Sequence, residues 1–247
     1  MLAGPARRRL AGWPVPDPGR PYNPVMTHHR ALQKESLTLP GPAGVIEALL
    51  EGPDLDTPRA LPPAIAVICH PHPLHQGTML NKVVQTLCRT MNELGMPALR
   101  FNFRGVGASE GEYDGGIGET ADALAVCGWA RAHYPGAALW LGGFSFGAMV
   151  ACRAAVDARP AQLIAVAPPA ARTKELLAGE RPGLPWILVQ GEADEVVSPA
   201  ELKAWVAELS PAPDLLLLPG VDHFFHGRLT LLRDALLQRL STVPAEA

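Results

Sequence analysis

The chain has 247 residues, of which 48% are hydrophobic, and it carries a formal net charge of -3. This length suits one α/β domain, and the apolar fraction is enough for a packed core, which excludes a globally disordered chain. The small negative charge gives no reason to expect a nucleic-acid partner or an anionic membrane surface.

The first 30 residues are rich in proline and arginine and show neither a helical nor a strand period. We predict that residues 1–30 form a disordered extension and that residues 31–247 form a single domain. Three arginines at positions 7–9 resemble a twin-arginine signal, but no apolar core follows them, so a signal peptide is not expected. No apolar run approaches the roughly 20 residues of a membrane span, and we predict a cytoplasmic protein. The patterned sequence begins just after Met26, an alternative start of translation.

The four cysteines, at positions 69, 88, 127 and 152, are widely spaced and form no C-x-x-C pair. Each of them lies in an apolar segment. We therefore expect free, buried thiols in a reducing compartment, and neither disulfides nor zinc ligands.

From residue 35 the sequence alternates between strand and helix patterns. SLTLP and GVIEALLEG predict an N-terminal hairpin, and the Pro- and Asp-rich PDLDTPRALPP predicts a surface loop. AIAVICH (64–70) is a continuously apolar run, typical of a strand that is buried on both faces. Residues 78–94 have helical spacing and predict the first helix.

The second half of the chain continues this alternation. The further predicted strands are 97–103, 138–143, 162–169, 185–191 and 214–220. The further predicted helices are 118–134, 146–158, 173–178, 199–209 and 228–240. Such a pattern predicts βαβ units, a mostly parallel sheet and a ligand site outside the carboxyl ends of the strands.

The stretch Gly143-Phe144-Ser145-Phe146-Gly147 matches the pattern G-x-S-x-G between a predicted strand and a predicted helix. The two glycines lack side chains, so strand and helix can approach closely around the serine. The free N–H groups at the start of the helix suit an oxyanion that develops beside it. This context favours Ser145 as a nucleophile, and the alternative is a serine that only caps the helix.

A nucleophilic serine needs a base, and the base needs an acid to orient it. For this kind of turn the chain order is serine, acid, histidine. Asp194 follows the predicted strand 185–191, and His223 follows the predicted strand 214–220. Both therefore lie at carboxyl strand ends, and we predict a catalytic triad of Ser145, Asp194 and His223.

Both loops contain an alternative residue of the same type. Glu192 and Glu195 stand beside Asp194. An acid three residues past the strand can fold back toward the histidine, whereas Glu195 is expected in solvent. His226 is the alternative to His223, but its position at the start of the last predicted helix is typical of a surface or capping histidine.

Three histidines follow the first buried strand: His70, His72 and His75. Imidazoles two residues apart on a strand share a face, so a metal site is one interpretation. Prolines break regular strand geometry here, however, and no carboxylate lies close by in the sequence. We expect the side chains of His70 and His72 to make structural hydrogen bonds, and we predict no metal and no cofactor.

The same loop is the expected source of one half of an oxyanion hole. Proline has no N–H, so His72 is the only backbone donor between Pro71 and Pro73. We predict that the hole consists of the backbone N–H groups of His72 and Phe146, each of which typically lowers a barrier by about 3–4 kcal/mol.

A glycine-rich loop, FRGVGASEG (103–111), follows the second parallel strand. Its spacing is G-x-G-x-x-x-G and no helix begins promptly after it, which disfavours a dinucleotide site. We expect a tight turn that is pinned by Arg104. Asp114, Glu119 and Asp122 are interpreted as solvated or capping charges.

In combination, HPHP, RFNFRGVGASEGEYDGGIGE, GFSFGA, GEADEVV and DHFFHG resemble the α/β-hydrolase superfamily, and within it a subfamily of small bacterial serine hydrolases. The resemblance covers about residues 35–241. It implies an eight-stranded, mostly parallel sheet with helices on both faces. It also implies that Ser145, Asp194 and His223 occupy the nucleophile, acid and base positions.

Many members of this superfamily insert a lid after the sixth strand. Here only residues 170–185 separate the sixth predicted strand from the seventh, which is too short for a lid domain. An open site favours small soluble esters or thioesters over substrates at a lipid interface. Phe144, Leu74 and Phe224 are candidate pocket residues.

The sequence therefore predicts a carboxylesterase-type serine hydrolase that acts on a small-molecule acyl ester, with no nucleic-acid or membrane partner. Two alternatives within enzymes are a peptidase and an acyltransferase that use the same triad. A third alternative is a non-catalytic, ligand-binding member of the fold. The oligomeric state, a homodimer included, is left open.

Overall fold

A computed structural model describes residues 34–52 and 64–241 of the chain. The strands are β1 (Lys34–Gly41), β2 (Gly44–Glu51), β3 (Ala64–Cys69), β4 (Ala98–Phe101), β5 (Ala138–Phe144), β6 (Gln162–Val166), β7 (Trp186–Gly191) and β8 (Asp214–Leu218). The helices are α1 (Lys82–Glu93), α2 (Ile117–His133), α3 (Phe146–Ala158), α4 (Ala170–Leu177), α5 (Pro199–Ala207) and α6 (Leu229–Leu240). The predicted extension 1–30, its boundary at residue 31 and the predicted loop 53–63 lie outside the described residues.

The strands form one eight-stranded sheet in the order β1-β2-β4-β3-β5-β6-β7-β8. β1 pairs with β2, and β2 with β4, in antiparallel register. All remaining pairs are parallel. The predicted mostly parallel sheet and its hairpin are therefore confirmed. Because β3 to β8 run in one direction, the loops that leave them meet at a single edge of the sheet.

Helices cover both faces of the sheet. Neighbouring residues of a strand point to opposite faces, so a continuously apolar strand needs a packed layer on each side. On one face, Ile68 of β3 packs in a core cluster with Leu87 of α1 and Leu236 of α6. On the other face, Val67 of β3 belongs to a cluster that includes Val126 of α2 and residues of α3, α4 and α5. None of the described helices is both long and apolar enough to cross a membrane.

The predicted elements recur with small shifts at their ends. α1 begins at Lys82 rather than at residue 78, because the side chain of Asn81 caps it by accepting the N–H of Val83 at 2.8 Å. α4 begins at Ala170, directly after Pro169, and is longer than the predicted 173–178. A short 3-10 turn at Pro73–His75 was not predicted. Between β6 and β7 only α4 and a loop are inserted, so no lid is present there.

All four cysteines are buried and free. Burial raises the pKa of Cys88, Cys127 and Cys152 to about 12. These thiols therefore stay protonated and behave as small hydrophobic side chains. The expectation of buried, unpaired thiols is confirmed, while the reducing compartment stays a prediction.

Candidate active site

Ser145 occupies a strained turn between β5 and α3. Its φ is 55° and its ψ is -120°, a region that residues with a side chain rarely adopt. The turn is held by the Ser145 N–H, which donates to the carbonyl oxygen of Val166 at 2.8 Å. The Ser145 side chain makes no capping hydrogen bond to α3, so the capping alternative finds no support.

The two flanking glycines allow this turn to form. A Cβ atom on Gly143 would lie 2.3 Å from the carbonyl oxygen of Gly147. A Cβ atom on Gly147 would lie 2.3 Å from the carbonyl oxygen of His70. Since both obstacles are backbone atoms, no side chain can move aside to relieve the clash. Glycine at these positions lets β5, α3 and the loop after β3 converge on Ser145.

Three side chains form a hydrogen-bonded row at the carboxyl edge of the sheet. His223 Nε2 lies 3.1 Å from Ser145 Oγ, and His223 Nδ1 lies 2.8 Å from Asp194 Oδ2. The carboxylate can only accept, so Nδ1 carries the proton and Nε2 is free to accept from the serine hydroxyl. The side chains of His223 and Asp194 are buried, whereas Ser145 is partly exposed. This is the arrangement in which an imidazole can take a proton from a hydroxyl.

The Asp194 carboxylate accepts three hydrogen bonds besides the one from His223. The N–H groups of Val196 and Val197 donate to Oδ1 at 2.9 and 2.7 Å, and Gln190 Nε2 donates to Oδ2 at 2.8 Å. Burial alone would raise the pKa of Asp194. The hydrogen bonds from His223, Val197 and Val196 outweigh burial and lower the pKa below its ordinary value. The carboxylate therefore stays ionised at neutral pH.

The alternative residues lie away from this row. Glu192 is exposed and pairs with Lys203 at 3.6 Å, and Glu195 is exposed as well. His226 has a side chain that is 75% exposed, and its Nδ1 lies 3.0 Å from Asp222 Oδ2. Of the residues weighed in the two loops, the structure brings only Asp194 and His223 to Ser145.

The side chains of His70 and His72, which follow β3, form hydrogen bonds with protein groups. His70 Nε2 accepts the N–H of Phe103 at 3.0 Å, so Nδ1 carries the proton and donates to the Pro71 carbonyl oxygen at 2.6 Å. Burial lowers the pKa of His70 to about 4, which keeps it neutral. The expected structural role of His70 is confirmed. In residues 34–52 and 64–241, no group of three His, Cys, Asp or Glu side chains is arranged to hold a metal ion.

His72 is held by a tyrosine that the sequence analysis missed. His72 Nδ1 accepts the N–H of Leu74 at 3.2 Å, so Nε2 carries the proton toward the hydroxyl oxygen of Tyr113, 3.2 Å away. The Tyr113 ring also lies 5.8 Å from that of Phe146. A single tyrosine in a glycine-rich loop carries no signal of this role, because its partners come from two other loops.

The backbone N–H groups of His72 and Phe146 make no hydrogen bond to another group in the described part of the chain. Phe146 is the first residue of α3, where a helix leaves its N–H groups without internal partners. The rings of His72 and Phe146 lie 4.9 Å apart. The loop after β3 and the start of α3, which carry these N–H groups, are therefore in contact beside Ser145. Their role as oxyanion donors stays a prediction.

The three predicted pocket residues differ in their exposure. Phe144 has 0% exposed surface and its ring packs 5.1 Å from that of His223. It supports the imidazole from inside the core and cannot touch a substrate, which corrects the sequence-based expectation. Phe224 and Leu74 are 54% and 68% exposed. The rings of Phe224 and His223 are nearly perpendicular, with their centroids 5.1 Å apart.

The loop after β4 is pinned by Arg104, as expected, but through an unexpected partner. The Arg104 guanidinium donates to both carboxylate oxygens of Asp122, at 3.0 and 2.8 Å. Asp122 is buried, so its interpretation as a solvated or capping charge is wrong. Glu119 does cap α2, since its carboxylate accepts the N–H of Gly116 at 2.7 Å.

Comparisons with known proteins agree with this fold. A crystal structure of an α/β serine hydrolase without a lid, from Xanthomonas campestris, is 41% identical with a TM-score of 0.78, and the similarity covers 88% of this chain and 95% of that one. An α/β serine hydrolase homologue from Coxiella burnetii is 43% identical with a TM-score of 0.77, covering 87% and 99% of the two chains. An uncharacterised protein of Rickettsia prowazekii is 37% identical over 172 residues, 65% of this chain and 71% of that protein. No family model matches the chain.

Proposed function

The chain belongs to the α/β serine hydrolases, and from that premise we propose that it cleaves small carboxylic esters or thioesters through an acyl-enzyme on Ser145. The observation that carries this proposal is the row from Ser145 Oγ through His223 to Asp194, at 3.1 and 2.8 Å, on a strained turn at the carboxyl edge of the sheet. Such a row activates a hydroxyl that is otherwise a weak nucleophile.

In the first half of the proposed reaction, Ser145 Oγ attacks the acyl carbonyl carbon while His223 Nε2 takes the hydroxyl proton. The unpartnered N–H groups of His72 and Phe146 hold the oxyanion that forms. Asp194 stays ionised and stabilises the imidazolium. The imidazolium then donates its proton to the leaving oxygen or sulfur, the bond to the leaving group breaks, and the acyl group remains on Ser145.

In the second half, water attacks the acyl carbonyl carbon and passes a proton to His223. The tetrahedral intermediate collapses, the bond to Ser145 Oγ breaks, and the imidazolium returns its proton to the serine. The products are a carboxylic acid and the free enzyme. No cofactor enters these steps.

The choice of small, soluble substrates rests on the surroundings of Ser145. Between β6 and β7 no lid covers the site, so a substrate can reach Ser145 directly from solvent. The apolar surface beside it includes the exposed side chains of Phe224 and Leu74. These features favour a short apolar acyl group.

The test is turnover of p-nitrophenyl acetate, butyrate and octanoate, an acyl thioester and a peptide anilide by the wild type and Ser145→Ala. We expect the acetate and butyrate esters to be the best substrates and Ser145→Ala to lose more than about 10³-fold in kcat/KM without unfolding. Ser198→Ala is a matched control, because the Ser198 hydroxyl caps α5 and has no bond to the triad among the described residues. Full activity in Ser145→Ala, purified free of host esterases, would contradict the proposal.

The same experiment separates the alternatives. Faster cleavage of the anilide than of any ester would indicate a peptidase. Preferential transfer of the acyl group to an added alcohol, at the expense of hydrolysis, would indicate an acyltransferase. No turnover of any of these compounds would favour a non-catalytic binding protein.

A further inference from the structure

Gln190 lies near the carboxyl end of β7, and its side chain is completely buried. Its Nε2 donates to Asp194 Oδ2 at 2.8 Å and lies 3.3 Å from the carbonyl oxygens of Gly191 and Val197. Three acceptors surround this end of the amide. Turning the amide over would place Oε1 against three oxygens, so the chemistry of the surroundings fixes the NH₂ group toward the carboxylate.

The other end of the same amide gains nothing from its position. Gln190 Oε1 is buried and has no hydrogen-bond partner among the described residues. A buried acceptor without a partner costs stability, and an apolar side chain of the same size would avoid that cost. Burial therefore does not explain why an amide stands at this position. Its hydrogen bond to the Asp194 carboxylate does, because a bond to a charged acceptor is stronger than one to a neutral acceptor.

The two oxygens of Asp194 are held in different ways. Oδ1 accepts two backbone N–H groups, from Val196 and Val197. Oδ2 is the oxygen that meets His223 Nδ1, and apart from that histidine it is held only by Gln190 among the described residues. Backbone donors alone therefore do not fix the oxygen on which the imidazole depends.

We propose that Gln190 is a positioning residue, which holds Asp194 Oδ2 in line with His223 Nδ1 and thereby orients the imidazole toward Ser145. This inference rests on the proposed function of the triad. Without the amide, no donor other than His223 holds Oδ2 among the described residues, and the end of the carboxylate that faces the imidazole becomes free to shift. The imidazole then loses orientation, and misplacement of a reacting group slows the chemical step more than it weakens binding.

The test compares the full-length wild type with Gln190→Met, which keeps the length of the side chain and removes the donor. We expect kcat to fall by about 10-fold while KM changes by less than about 2-fold. We also expect the far-downfield proton NMR signal of His223 Nδ1–H, which reports its hydrogen bond to Asp194, to weaken or broaden. Gln190→Asn keeps an amide but draws it back from Asp194 by one methylene, and should show the same changes.

Asn92 provides a matched control elsewhere in the molecule. Its amide is also buried, its Nδ2 donates to the carbonyl oxygens of Glu51 and Met96 at 3.0 and 2.9 Å, and its Oδ1 likewise has no partner among the described residues. Asn92→Leu removes the same kind of group far from Ser145. It should lower stability and leave both kcat and the His223 signal unchanged.

The outcomes separate this inference from the proposed function. Unchanged kcat and an unchanged His223 signal in both Gln190 variants would overturn the positioning role. If Asn92→Leu also lowers kcat, and the Gln190 variants lower it by no more, the loss reflects reduced stability and the positioning role is overturned as well. If the wild type itself shows no turnover that depends on Ser145, the proposed function fails, and the His223 signal alone then decides whether Gln190 holds the row.

Discussion

Two of the polar clusters that are buried in the described part of the chain differ in what they face. One holds Asp194, His223 and Gln190 at the carboxyl edge of the parallel strands. The other holds Glu51 and Arg100, which pair at 3.1 Å across β2 and β4 and are both at least 97% buried. The first cluster ends at the partly exposed hydroxyl of Ser145, whereas the second is closed by protein groups, with Arg100 Nη1 donating to the carbonyl oxygen of Met79 at 3.0 Å.

Burial of charge therefore does not by itself mark a functional site. In the Glu51–Arg100 pair, a carboxylate accepts a hydrogen bond from a guanidinium, which carries only donors and offers no acceptor for a proton. In the Asp194–His223 pair, a carboxylate meets an imidazole whose second nitrogen faces a hydroxyl. Only the second arrangement can accept a proton and stabilise the charge that results.

The largest expected effect on activity follows from replacing Asp194, the acid of the cluster that ends at Ser145. In Asp194→Asn the amide cannot stabilise an imidazolium and leaves the Gln190 donor without its acceptor. We expect kcat/KM on a p-nitrophenyl ester to fall by about 10³–10⁴-fold, with circular dichroism unchanged. Glu192→Gln, in the same loop, is the control and should stay within about 2-fold of wild type. The reverse result for these two variants would assign the acid to Glu192.

Breaking the Glu51–Arg100 pair should lower the stability of the protein and leave its activity unchanged. Arg100→Met leaves the Glu51 carboxylate buried, and the half-exposed Lys34, at 2.8 Å, is then its one charged partner among the described residues. We expect a loss of about 3 kcal/mol in the free energy of unfolding in urea, and an unchanged kcat/KM at 25 °C. Lys174→Met removes an exposed pair with Glu208 and should cost less than about 1 kcal/mol. A fall in kcat of Arg100→Met, measured where the variant is fully folded, would show that the two clusters are coupled.

A smaller effect concerns pH and a histidine that lies beside the site without belonging to the row. Burial lowers the pKa of His70 to about 4, from an ordinary value of 6.5. Between these values the unfolded chain binds a proton that the folded protein does not. Stability is therefore complete above pH 6.5 and falls as the pH drops toward 4, by about 3 kcal/mol.

The measurement is urea unfolding of the wild type and His70→Gln from pH 7 to pH 4. The stability advantage of the wild type should shrink by about 3 kcal/mol over this range, because glutamine does not titrate. Ser198→Ala, which removes no titratable group, is the control and should differ from the wild type by a constant amount at every pH. A constant difference between wild type and His70→Gln would mean that His70 takes up a proton in the folded state as easily as in the unfolded one.

The sequence patterns predicted the positions of the helices and strands well, but they predicted few of the contacts between loops. A continuously apolar run such as AIAVICH has few alternatives to a buried strand, and β3 forms there at Ala64–Cys69. Residues that follow such strands share one edge of the sheet, which is why Ser145 and His223 could be predicted as neighbours although 78 positions separate them. The topology alone brings them together.

The residues that were missed depend on side-chain contacts that no local pattern encodes. Asp122 looks like any helix surface charge until the loop after β4 places Arg104 against it. Phe144 flanks Ser145 in sequence, but strand alternation turns its ring into the core. Gln190 contacts Asp194 because the chain after β7 folds back on it, and Tyr113 contacts His72 from another loop, so neither role shows in a local pattern.

The most direct test of the central claim is the intact mass of the wild type and Ser145→Ala after treatment with a fluorophosphonate. This reagent reacts with a serine that is activated by a neighbouring base. We predict a single adduct on the wild type and none on Ser145→Ala. An unmodified wild type, or an adduct of equal extent on Ser145→Ala, would contradict the assignment of Ser145 as the nucleophile.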